Sequence, residues 1–284
     1  MEGAMSVVDS HHHFWWLDKH TYKWPEQAKA GDRLDHDFTP ADLLAELEAC
    51  GIRGSVLIQV LHETGETGEY IDIQRRNPFV RGVVGWVPLT DPPAAARALE
   101  ELPERGRLVG IRHLISNEPN PEWLLQDSVQ ESLQLLSRAG LVLDVIPLNE
   151  RQLDAVITTA RRLPDLQIVI NHLGRPPVPE QGWEPWASQI TRAAHCPNVT
   201  MKLSVGLDIA MRWTWVTEEL RRYAEHVLDA FGPSRVMAAS NWPVILLAGS
   251  YQEIWRGTTA LVDKLSPAEK AAVLGGTAER VYRL

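Results

Sequence analysis

Short, continuously apolar runs recur along the chain, and between them the apolar residues fall on a helical period. The runs cover residues 6–9, 55–59, 80–87, 108–112, 141–144, 168–171, 199–202 and 235–238. Each is too short for a helix and lacks the alternation of a half-exposed strand, as strands buried on both faces should. Thr39-Pro40 supplies a cap followed by proline at the first helical position, Leu43, Leu44 and Leu47 share a face, and Gly51 ends that helix. Asp91-Pro92 repeats the start, residues 132–139 end at Gly140, and Asn149 caps Glu150–Arg162. Residues 215–231 and 251–264 form two long late helices.

Eight strands alternating with helices imply a parallel α/β sheet. The count of eight, with no Gly-x-Gly-x-x-Gly after the first run, favours a closed (β/α)8 TIM barrel over an open doubly wound sheet. One domain over residues 1–284 is expected, with residues 266–284 as a helical cap and 176–179 as a loop above strand six.

Polar residues gather where these strands end, the face that carries active sites in such barrels. Strand one leads to Asp9, His11 and His13, strand two to Gln59, and strand four to Arg112-His113. Strand five ends in Asp144, strand six in Asn171-His172, strand seven in Lys202 and strand eight in Ser240-Asn241. Side chains alternate along a strand, so His11 and His13 point to one side, where two imidazoles can bind a divalent ion or polarise a carbonyl. Arg112 can clamp a carboxylate or an oxyanion. Asp144 can orient a histidine or pair with Arg112. His20, His36, His62, His195 and His226 carry no motif and read as surface or packing residues.

Composition narrows the partners. A net charge of −9 argues against a nucleic-acid surface. The N-terminus has no run apolar enough for a signal peptide or a membrane span, and residues 1–4 read as a leader with Met5 an alternative start. Cys50 and Cys196 match no metal or redox spacing and read as two reduced thiols of a cytoplasmic protein. Eleven tryptophans offer flat apolar platforms of the kind on which sugar rings are held.

Four motifs stand in order along nearly the whole chain. They are Asp9-Ser10-His11-His12-His13-Phe14-Trp15 with Tyr22-x-Trp24, Asn171-His172-Leu173-Gly174-Arg175-Pro176, Lys202-Leu203-Ser204, and Ser240-Asn241-Trp242-Pro243-Val244 followed by Leu246-Leu247-Ala248-Gly249-Ser250-Tyr251. Together they resemble the sugar-lactonase branch of the amidohydrolase superfamily (amidohydrolase family 2). That branch includes the L-fuconolactonase and L-rhamnonolactonase group, with pyrone-dicarboxylate lactonases and aromatic-acid decarboxylases as relatives. The resemblance implies a hydrolase that opens a sugar-acid lactone by water attack on the ester carbonyl. It places His11, His13, His172 and Asn241 at the reacting centre, with the three histidines able to share one metal ion. Gln59, Arg112, His113, Asp144 and Lys202 would bind the substrate's polar groups, and Trp15, Trp24 and Trp242 would wall the pocket.

The sequence departs from the family at the strand-eight position. The usual aspartate, a general base and in metal-using members a ligand, is Asn241 here, and a carboxamide does not take up a proton as a carboxylate does. Asn171 shows the same change, and strand five offers Asp144 where a ligating histidine would stand. The expectation is therefore no required cofactor, or one weakly held divalent ion, zinc first, with a neutral histidine as the base. Two alternatives stay open: a ligand-binding homologue that has lost catalysis, and a metal-dependent decarboxylase. A homo-oligomer is also left open.

Overall fold

The computed structural model describes residues 6–22, 33–102 and 106–284. All eight apolar runs form strands: β1 (Val8–His12), β2 (Gly54–Ile58), β3 (Val80–Gly85), β4 (Leu108–Arg112), β5 (Val142–Val145), β6 (Ile168–Ile170), β7 (Val199–Leu203) and β8 (Val236–Ala238). They pair in parallel in the order of the chain. The ring closes through backbone that follows β8: Asn241 N donates to His11 O at 2.9 Å and His13 N to Trp242 O at 2.8 Å. Ser10 adds a side-chain bond to Ala238 O at 2.8 Å. This is the (β/α)8 barrel.

Helices α1 (Pro40–Ala49), α2 (Thr64–Arg76), α3 (Pro92–Glu101), α4 (Asp127–Ala139), α5 (Glu150–Arg162), α6 (Trp186–Ala194), α7 (Leu207–Ala210), α8 (Thr217–Phe231) and α9 (Tyr251–Leu261) follow the strands. The caps work as their residue types dictate. Asn149 accepts from Gln152 N at 3.0 Å, Asp91 accepts from Ala94 N at 3.1 Å, and Thr39 shares a capping box with Asp42. Helices α2 and α6 had no clear sequence signature. Gly65 and Gly68 dilute the α2 pattern, and its buried face of Tyr70, Ile71 and Ile73 holds it in place. Among the described residues no helix is long and apolar enough to cross a membrane.

The barrel interior is filled from below. Val8, Val56, Val84, Val109, Val142, Val169 and Met237 pack with Ala278, Val281 and Tyr282 of the last helix. The segment after α9 runs through α10 (Pro267–Ala271) and one π turn to α11 (Thr277–Tyr282) and plugs the N-terminal mouth. Gly275 makes that plug fit. A Cβ there would sit 1.8 Å from the carbonyl oxygen of Ser6, a backbone atom that cannot swing away. Gly275→Ala should therefore destabilise the fold by roughly 3 kcal/mol or more, as overpacking against backbone does. A urea midpoint within error of the parent would show that the plug can shift.

Candidate active site

The strand-end polar groups lie in two layers. The lower layer is closed to solvent. Lys202 Nζ lies 2.6 Å from Asp144 Oδ2 and 3.3 Å from His11 Nδ1, and both Lys202 and Asp144 are fully buried. Asp144 also accepts from Asn171 Nδ2 at 3.1 Å and from the Tyr282 hydroxyl at 2.7 Å, so the plug reaches the site from beneath. Asp9 accepts from Ser240 N at 2.8 Å, from Ser240 Oγ at 2.6 Å and from Tyr251 at 3.1 Å, which anchors the loop that carries Asn241.

The upper layer opens into a cavity of about 660 Å³ whose lining includes His13, Arg112, His172 and Asn241. His11 and His13 face one side, as strand alternation requires, with their Nε2 atoms 3.1 Å apart, while His12 turns away to Ser55. His172 is 3% exposed, and its Nδ1 lies 2.9 Å from Ser204 Oγ. Its Nε2 has no protein partner among the described residues. Asn241 Nδ2 donates to Val205 O at 2.8 Å, which leaves Oδ1 to accept from a ligand or water. His172, Leu173, Arg175 and Asn241 all sit at positive φ, between 53° and 61°. Backbone strain of this kind collects where a fold must aim side chains at one point.

The hydrogen bonds fix the proton of His13. His13 Nδ1 lies 2.8 Å from Ile58 O, an atom that only accepts, so His13 carries its proton on Nδ1 and presents a bare Nε2. His11 lies between two cations that only donate, Lys202 Nζ at 3.3 Å from Nδ1 and Arg112 Nη1 at 3.3 Å from Nε2, and its Nε2 is also 3.1 Å from His13 Nε2. Either neutral tautomer of His11 sets its N–H against one of these cations, Lys202 at Nδ1 or Arg112 at Nε2.

The two cations beside His11 bear on a metal ion. Ligation through Nε2 of both His11 and His13 would place the His11 proton on Nδ1, against the Lys202 ammonium, and Arg112 Nη1 already stands 3.3 Å from that Nε2. Metal-bound imidazoles ordinarily give their second N–H to an acceptor. No carboxylate stands with the three imidazoles, because Asn241 occupies that place and Asp144 is committed to Lys202. Among the described residues no group of three or more His, Cys, Asp or Glu is arranged to hold an ion. The residues present do not fit a resident divalent metal.

Burial is the largest influence on His11, His13 and His172, and with the cations Arg112 and Lys202 it pushes all three well below 6.5, so they are neutral near pH 7. Burial lowers Lys202 to about 8 against the opposing pull of Asp144, and lowers Arg112 to about 10; both stay cationic. Arg112 Nη2 donates to both oxygens of Gln59, whereas its Nε is buried without a partner.

Glu66 holds the loop after β2: Oε2 accepts from Val60 N and Leu61 N at 2.9 Å each, and Oε1 has no partner. Burial raises its pKa from 4.5 to about 7. The folded state thus favours protonated Glu66, so stability is fully present below 4.5 and falls as pH rises through 7, by about 3 kcal/mol. In Glu66→Gln this loss should vanish. The variant should gain on the parent between pH 4.5 and 8, whatever the constant cost of the amide. Parallel pH profiles of the urea midpoint would contradict it.

Sequence comparison agrees with this architecture. A family model described as an amidohydrolase matches residues 8–284. The chain belongs to the amidohydrolase family. The L-fucono-1,5-lactonase of Burkholderia ambifaria is 33% identical to this amidohydrolase over 98% of this chain and 95% of that one. The L-fucono-1,5-lactonase of Burkholderia multivorans is 31% identical over 99% and 97%. A crystal structure of a Burkholderia multivorans amidohydrolase with bound zinc shares 30% identity at a TM-score of 0.87, covering 98% of this chain and 99% of that chain.

Several of the expected substrate contacts are not among the residues that line the cavity. Trp15 and Trp242 do not wall the cavity; they are buried with Phe38, at ring distances of 4.9 and 5.2 Å, in an aromatic cluster beside β1. Trp24 lies outside the described residues. Gln59, Asp144 and Lys202 are each fully buried and bond to protein groups, Gln59 Nε2 to Arg112 O at 3.1 Å and Lys202 Nζ to Asp144 Oδ2 at 2.6 Å. His113 is stacked on Trp123 at 3.9 Å behind the wall. Sequence reasoning gave no site role to Tyr22, Asn117 or the Arg175–Asp208 pair, which line the cavity. It also set aside His62, which lines the same cavity.

Proposed function

We propose that this amidohydrolase opens a sugar-acid lactone by water attack on the ester carbonyl, without a resident metal ion. The observation that carries the reading is the meeting of His172 Nε2, Arg112 and the Asn241 amide at one cavity, in a chain one-third identical to a lactonase. His172, with its proton on Nδ1 toward Ser204, takes a proton from water through Nε2 as the water oxygen bonds to the carbonyl carbon. Asn241 Oδ1 accepts the water's other O–H and orients it. Negative charge on the carbonyl oxygen falls to Arg112, whose guanidinium is held by Gln59. The ring C–O bond then breaks, and the leaving oxygen takes the proton back from His172. The product is the open hydroxy acid.

The test is a pH-indicator assay on L-fucono-1,5-lactone, L-rhamnono-1,4-lactone and D-galactono-1,4-lactone, with and without EDTA, alongside metal analysis of the purified protein. Turnover that survives chelation in protein with substoichiometric metal is expected. Stoichiometric zinc, with activity lost on chelation, would refute the metal-free part. Binding of a sugar acid with no lactone opened would favour the ligand-binding alternative, in which Asn241 marks lost catalysis.

A further inference from the structure

His62 sits on the loop after β2, in a column of parallel rings. It stacks on Trp86 at 5.7 Å and 10°, and on His113 at 4.2 Å and 30°; His113 in turn stacks on Trp123. The loop itself is tied by Glu66 through Val60 N and Leu61 N. The ring is therefore fixed in plane and position.

Its proton is fixed too. Leu114 N donates to His62 Nε2 at 3.0 Å, and a backbone amide only donates, so Nε2 is bare. A neutral ring then carries its hydrogen on Nδ1. Burial, with His113 and Arg112 nearby, lowers His62 to about 4, so the ring stays neutral around pH 7. The neighbouring ring obeys the same logic: Trp86 Nε1 donates to His113 Nδ1 at 3.1 Å, and His113 Nε2–H goes to Glu118 at 2.7 Å. His62 differs in one respect. Its Nδ1 has no protein partner among the described residues and is not closed off, and the ring lines the cavity. A rigid donor with no acceptor in the protein is a donor for what enters the cavity.

We propose that His62 is a substrate-binding residue whose Nδ1–H donates to an oxygen of the bound sugar lactone, a ring or hydroxyl oxygen away from the reacting carbonyl; the identity of that ligand rests on the lactone reading above. It sets affinity and leaves the chemical step alone. Two experiments test it. In the free protein, long-range ¹H–¹⁵N spectra of the imidazoles at pH 6–8 should show His62 as the Nδ1–H tautomer; an Nε2–H tautomer or an imidazolium overturns the assignment whatever the enzyme does. In kinetics, His62→Phe keeps a stacking ring and loses the donor, whereas His62→Asn places an amide N–H near the same point. On the lactone the parent opens fastest, Phe should raise KM about tenfold with kcat within about twofold, and Asn should restore much of the loss. An unchanged KM in a folded Phe variant, or equal losses in kcat and kcat/KM, overturns it. A parent that opens none of the three lactones defeats the lactone reading separately. The donor is then scored by the Kd of L-fuconate from tryptophan fluorescence, and equal values for parent and Phe variant overturn it.

Discussion

His172→Asn is expected to lower kcat for lactone opening by about 10²–10⁴, the usual worth of a general base. The substitution is chosen so that little else changes. Asparagine tolerates the positive φ of 58° at this position, and its amide N–H can keep the contact to Ser204 that Nδ1 makes at 2.9 Å. What disappears is a lone pair at the place of Nε2. The parent should show a companion signature in its pH profile. Burial and then the cations Arg112 and Lys202 lower the His172 pKa, so the base is free throughout the neutral range. Activity should be flat from pH 6.5 to 8 and fall only below the ordinary histidine value of 6.5. A His172→Asn enzyme within a factor of about ten of the parent would mean that another group takes the proton.

Lys202→Met should cost about 3–5 kcal/mol of stability, the usual penalty for removing one member of a buried ion pair. Asp144 would be left, fully buried, with only Asn171 and Tyr282 as donors. The cost lies in the uncompensated carboxylate, so adding Asp144→Asn should recover a good part of it. A double variant no more stable than the single one would show that lost packing, not charge, dominates.

The barrel was legible because its signals are local. Strands buried on both faces must be continuously apolar, and all eight read that way; the two-residue period along β1 placed His11 and His13 together without any knowledge of the fold. Helix α2 was not legible, because its two glycines and polar first turn are outweighed by contacts made only in the folded state. Which polar residues end the strands was legible, but not how deep each one lies. Sequence shows that Asp144, Lys202 and Arg112 each end a strand; it does not show that the first two lie a layer lower and consume one another's charge. The tryptophans misled for a related reason. Their abundance suggested sugar platforms, yet Trp15 and Trp242 fill the aromatic packing around Phe38. His62 was passed over because its role comes from a partner 52 residues away in sequence, the amide of Leu114.

The plug at the bottom of the barrel imposes an order on biosynthesis. A nascent chain that has extruded β8 already holds every strand and the site histidines His11, His13 and His172. It still lacks the Tyr282 hydroxyl that completes the bonding of Asp144, and the apolar lower mouth between Val8 and Met237 stands open. Assembly of the active centre thus waits for the plug helix, which follows every strand in the chain. A chain cut short before the plug carries His11, His13 and His172 without the Tyr282 bond to Asp144 beneath them.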